Sequence, residues 1–88
     1  MNYIKPGLYK HFKDNNYLII TTIVDTENKT PFVLYTAESD NEFRLWIRPI
    51  EMFISEVETS CGTVPRFSYV RELNQNEKQM LKQQLLLE

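Results

Sequence analysis

Apolar and polar side chains alternate along most of this chain, which is the signature of strands with two distinct faces. Over residues 8–13, Leu8, Lys10 and Phe12 share one face, and Tyr9, His11 and Lys13 share the other. Asp14-Asn15-Asn16 supplies a turn, because Asn and Asp tolerate left-handed backbone. Residues 17–24 are apolar on both faces and rich in β-branched side chains, which predicts the central and most buried strand. Polar residues 25–30 form a loop, Pro31 suits the start of a strand over 32–37, and the acidic residues 38–42 turn the chain. The next strand, over 43–48, is expected to turn Phe43, Leu45 and Ile47 inward and to gather Arg44, Trp46 and Arg48 on the other side. Pro49 has no N–H to donate and ends the ladder. Residues 50–53 fit a short helical turn plugging one end of a barrel, with Met52 and Phe53 pointing inward. Residues 54–58 read as a short strand and 59–63 as a hairpin-type turn. Residues 68–70 read as a last strand, which Pro65 pushes toward a sheet edge.

The period then changes. Asn74 is a good N-cap, with Glu77 at the capping-box position, and residues 75–86 are good helix formers. Met80, Leu81 and Leu85 give this helix a narrow apolar stripe. A helix this short needs a surface to dock on, either the barrel or another chain. The pattern as a whole predicts an all-β fold: a small barrel or strongly bent sheet of about five or six short antiparallel strands. Residues 6–70 form this unit, and the C-terminal α-helix at 74–86 is an appendage of the same domain.

With 88 residues the chain makes one domain, and 42% hydrophobic and 25% charged residues suit a globular rather than a disordered chain. The net charge of −2 argues against generic nucleic-acid binding, which uses a basic footprint. Charge is uneven, however. The first thirteen residues carry Lys5, Lys10 and Lys13 without an acid, whereas acids dominate residues 25–58. A single cysteine, Cys61, excludes an internal disulfide and fits a reducing compartment. No apolar run is long enough to cross a bilayer and no leader-like segment opens the chain, so a cytoplasmic location without a membrane partner is expected.

Little in the chain points to catalysis. One His and one Cys, far apart, do not make a zinc site, and two glycines do not make a phosphate loop, so neither metal nor cofactor is expected. Cys61 in a Thr-Ser-Cys-Gly-Thr turn reads as an incidental surface thiol, and Glu56 and Glu58 read as a solvated strand face. The better candidate is an aromatic and basic set: Tyr9, His11, Tyr17, Tyr35, Trp46, Arg48 and Arg66, with Lys13 and Arg44 beside it. Trp and Tyr offer rigid contact area and Arg adds directional donors, so such a face could stack a base, grip a peptide or hold an acidic tail. For Trp46 itself, a place at the centre of a small core is favoured over a place on the surface. The reading is therefore a non-catalytic module for a protein, peptide or small ligand, monomeric or homodimeric. The alternatives are RNA or single-stranded nucleic-acid binding, and a small enzyme or accessory subunit with His11 and Arg48 or Arg66 as polar groups.

The residues also carry a resemblance. Gly7-Leu8-Tyr9-Lys10-His11-Phe12-Lys13, Tyr17, Val33-Leu34-Tyr35, Trp46-Ile47-Arg48-Pro49, Met52-Phe53 and Pro65-Arg66-Phe67 resemble, in order and spacing, the bacterial family known as domain of unknown function 1653. The resemblance covers residues 6–70 and leaves out the C-terminal helix. It implies a small SH3-like barrel and no activity. The chain departs from the family's pattern at Asp14-Asn15, where Gly is common, and at Asp25, where a His is frequent. The second departure tells against a two-histidine site.

Overall fold

The structure, a computed structural model, describes residues 4–40, 42 and 44–86, the last three by backbone alone. Seven strands and two helices follow in order: β1 (Gly7–His11), β2 (Asn16–Val24), β3 (Pro31–Ala37), β4 (Trp46–Pro49), α1 (Ile50–Phe53), β5 (Glu56–Thr59), β6 (Gly62–Pro65), β7 (Phe67–Arg71) and α2 (Gln75–Leu86). The expected all-β domain with a C-terminal helix is thus observed. One strand exceeds the expected number: β6, whose residues read in the sequence as the end of a turn and a lead-in.

Five strands form an antiparallel sheet in the order β4-β3-β2-β1-β7, and β5 and β6 form a separate hairpin. Asp14 takes the left-handed conformation expected of the β1–β2 turn (φ 73°). β2 is the central strand, as its composition predicted, and Leu18 and Ile19 are almost wholly buried in its first half. Two bulges interrupt the register. On β2, Ile19 opposes Tyr35 while Thr21 opposes Leu34, so Ile20 is an extra residue. On β7, Leu8 opposes Arg71 while Tyr9 opposes Tyr69, so Val70 is the extra residue there.

Cross-strand partners share a face, so the register sorts the sheet's side chains. Tyr9 opposes Tyr17 and Tyr69, His11 opposes Phe67, Ile19 opposes Tyr35, Tyr35 opposes Trp46 and Val33 opposes Arg48. All of these lie on one face. The core sits there: Tyr9, Ile19, Val33 and Phe67 of the sheet join Ile4 and the two α1 residues Ile50 and Phe53. Phe53 stacks on Phe67 with ring centroids 4.5 Å apart, and Tyr9 meets Phe53 edge-on at 5.1 Å. The opposite face carries a smaller buried set, Leu8, Leu18 and Thr36. α2 begins four residues after the Arg71 that opposes Leu8, and it buries Leu81 to 3% exposure.

Several expectations are corrected. The core lies on the face of Tyr9, not on the face of Leu45 and Ile47. Ile47 is 54% exposed on the outer side of an edge strand, and Leu45 is half-buried ahead of β4. The expected placement of Phe43 lies outside the described residues. Trp46 is not the centre of the core: it is 49% exposed. α1 contacts β3 and β4 and begins beyond Pro49, at the opposite end of β4 from Trp46. Met52 is exposed, because a four-residue helix turns only one stripe inward and the i, i+3 pair Ile50 and Phe53 occupies it. Met80 is also exposed, leaving Leu81 as the buried part of the expected stripe; the side chain of Leu85 lies outside the described residues. No helix among the described residues is long and apolar enough to cross a membrane.

Candidate ligand-binding face

Strand alternation places five of the seven candidate residues along the open part of the core face: His11 at the end of β1, Tyr17 on β2, Tyr35 on β3, and Trp46 and Arg48 on β4. Four of them close a ring with Phe67. His11 lies 6.2 Å from Tyr17, Tyr17 lies 5.6 Å from Tyr35, and both are edge-on contacts. The Arg48 guanidinium lies 5.7 Å from the Tyr35 ring centroid and 5.5 Å from that of Phe67. Phe67 lies 4.9 Å from His11, which completes the circuit. Arg48 sits over two ring faces within cation–π range, which holds the guanidinium in place without neutralising it. It also approaches the Tyr35 hydroxyl at 3.5 Å, and among the described residues it forms no ion pair.

Arg66 is brought to the same neighbourhood by its backbone. Its N–H donates to the Ser55 carbonyl (3.0 Å) and its carbonyl accepts from the Phe12 N–H (2.9 Å). Its Nε donates to Ser55 Oγ at 2.9 Å, and the guanidinium lies 6.0 Å from the Phe12 ring. His11 feels the result. Burial, and then the positive charges of Arg48, Arg66 and Lys13, hold its imidazole below the usual value of 6.5. The backbone N–H of Lys13 donates to His11 Nδ1 at 3.2 Å, so Nδ1 is the acceptor nitrogen and the ring proton resides on Nε2. The ring of contacts is thus rich in donors.

Beside it opens a cleft of about 560 Å³, lined by Tyr17, Tyr35 and Trp46 together with Ser39, Asp40, Glu42 and Arg44. Arg44 lies 5.9 Å from the Trp46 ring and pairs with Asp40 at 3.0 Å. Asp40 also accepts from the Glu42 and Arg44 amides, and these contacts hold its carboxyl below the usual range. Tyr17 and Tyr35 belong both to the cleft and to the ring around His11, so the two regions are continuous.

Tyr9 does not join them. It is 7% exposed in the core, and its hydroxyl donates to the Lys5 carbonyl at 2.7 Å. Phe67 is the member of the ring that the sequence reading left out, and its place directly opposite His11 across β1 and β7 explains its role. Its signal was the Pro-Arg-Phe step, in which the residue after Arg66 alternates back to the core face. Cys61 is exposed at the β5–β6 turn. Among the described residues no three His, Cys, Asp or Glu side chains are grouped as a metal site would require.

Comparison with known proteins places this arrangement in a family. Residues 7–69 match the family described as a protein of unknown function (DUF1653). The crystal structure of a protein of that family from Bordetella bronchiseptica is similar to this chain, with 28% sequence identity and a TM-score of 0.70. The alignment covers 81% of this chain and 92% of the Bordetella protein. No curated protein matches.

Proposed function

Because the chain belongs to the DUF1653 family, whose description assigns no activity, the site has to speak for itself, and we propose that it is a non-catalytic ligand- or protein-binding module. Its ligand lies along Tyr17, Tyr35 and Trp46. The observation that carries this reading is the half-exposed indole of Trp46 in the wall of the cleft. A large aromatic left half in water on an edge strand, with two tyrosines beside it, is the kind of surface from which binding anchors are drawn. Arg48 and Arg66 add fixed directional donors next to that surface. The chain's single thiol, Cys61, lies at the exposed β5–β6 turn rather than among these residues.

The reading is tested by screening arrayed peptides against the full chain and titrating the hits while following Trp46 emission. Hits that perturb the emission and weaken roughly tenfold or more with Trp46→Ala would support it. Hits whose affinity is indifferent to Trp46→Ala would contradict it. So would a preference for single-stranded RNA with affinity falling steeply with salt, the mark of the nucleic-acid alternative.

A further inference from the structure

We propose that the group recognised at the inner end of this face is a carboxylate, held by Arg48 and Arg66 with His11 Nε2 as a third donor. The inference rests on the binding-module reading and adds the chemistry of the ligand.

The cations beside His11 are Arg48, over the Phe67 ring that meets His11 at 4.9 Å, and Arg66 and Lys13, both over the Phe12 ring that meets His11 at 4.6 Å. Nearby acids are engaged elsewhere. Asp14 lines a pocket together with His11 but pairs there with Lys10 at 3.3 Å, Glu38 accepts from the Asn16 side chain at 3.0 Å, and Asp40 pairs with Arg44. Glu42 lines the neighbouring cleft, which His11 does not line. Both guanidinium groups lie over aromatic rings rather than against carboxylates. An arginine held over aromatic rings keeps its charge and its planar fork of donors available, and that fork matches a carboxylate in two parallel hydrogen bonds. His11 adds an N–H in a fixed tautomer, because its other nitrogen is already accepting from the Lys13 amide. An acceptor-only, negatively charged, planar group is the ligand chemistry that matches donors of this kind. The aromatic walls of Tyr17, Tyr35 and Trp46 then receive whatever carries the carboxylate.

The identity of the carrier does not change the chemistry: a chain-terminal carboxylate and an acidic side chain present the same group. The test follows the single histidine by NMR in the isotope-labelled full-length protein, with the indole N–H signal of Trp46, the single tryptophan, recorded in parallel. The probes are N-acetyltryptophan, its uncharged amide, a glutamate oligomer with an amidated C-terminus, and inorganic phosphate. The expected result is a saturable shift of the His11 ring signals with N-acetyltryptophan or with the glutamate oligomer, and none with the amide. The bound anion also raises the His11 pKa, so binding tightens as pH falls through the range where the ring titrates. Arg48→Met weakens binding roughly tenfold or more. Should that variant fold poorly, Arg66→Met tests the same point from the other side. A response to N-acetyltryptophan alone assigns a terminal carboxylate, and a response to the oligomer assigns side-chain carboxylates.

The proposal is overturned if no carboxylate probe moves His11, if the amide binds as well as the acid, if phosphate binds more tightly than either carboxylate, or if both arginine variants bind normally. A Trp46 response to the amide with His11 silent to every carboxylate would overturn the carboxylate while leaving the binding module standing. Silence from both reporters would count against both.

Discussion

At the scale of single residues, the face is defined by what surrounds His11. Desolvation, followed by the charges of Arg48, Arg66 and Lys13, disfavours the imidazolium. The His11 pKa measured by NMR titration is therefore expected below 6.5, and Arg48→Met is expected to raise it toward that value. The linkage has a definite sign. A histidine whose pKa is lowered on folding binds protons more readily when unfolded, so its contribution to stability is fully present above 6.5 and is lost as pH falls through the lowered folded value. His11→Gln should flatten that part of the stability profile. Gly7 is constrained in a different way. A Cβ there would stand 2.5 Å from the Arg71 carbonyl oxygen and 2.8 Å from the Tyr69 ring. Gly62 has a positive φ of 117° but open space around it. Gly7→Ala is expected to cost about 2–3 kcal/mol in urea unfolding and Gly62→Ala about 1 kcal/mol, since only the first meets backbone. Equal costs would show that conformation, not the close approach of β1 to β7, governs Gly7.

At the scale of elements, α2 is tied on by a reciprocal cap. The Glu77 N–H donates to Asn74 Oδ1 at 2.8 Å and the Asn74 N–H donates to Glu77 Oε1 at 3.0 Å. Arg71 at the end of β7 grips the same carboxylate with two bonds of 2.9 Å, which joins the helix start to the sheet. Asn74→Ala should cost about 1 kcal/mol. The hydrogen bond from Arg71 is the main reason that Glu77 titrates below 4.5, so the stability from this link holds above 4.5 and is lost as pH falls through the lowered value. Circular dichroism should show helix content falling on acidification before strand content does. The cap was legible in the sequence because it is local, a matter of which residue stands three positions on. The sharing of one face by Tyr9 and His11 within β1, and by Trp46 and Arg48 within β4, was legible too, because alternation along a strand needs only the residue count. Which face is inside was not legible. Both faces of β1 and β2 carry apolar residues, and the choice falls to α1, whose Ile50 and Phe53 close over the Tyr9 side. The bulge at Ile20 was hidden for a related reason: an extra residue among consecutive β-branched side chains leaves no break in pattern.

At the scale of the whole molecule, the domain sets a half-exposed tryptophan and a cluster of uncompensated cations on one open face of a chain whose net charge is −2. The charge of the whole chain thus hides the charge of the site. Trp46 is the only tryptophan, so intrinsic emission reports on the cleft alone. In the folded protein this emission should already be red-shifted and readily quenched by acrylamide. A blue-shifted, protected indole would mean that the cleft is closed in solution. The central claim is that ligands enter along the face shared by β1 to β4. The most direct measurement is backbone and side-chain shift mapping by NMR while the full chain is titrated with a peptide selected on the array. Perturbations centred on His11, Tyr17, Tyr35, Trp46 and Arg48 are the predicted result. Perturbations centred on Leu34, Ile47 and α2, with those five residues unmoved, would contradict it.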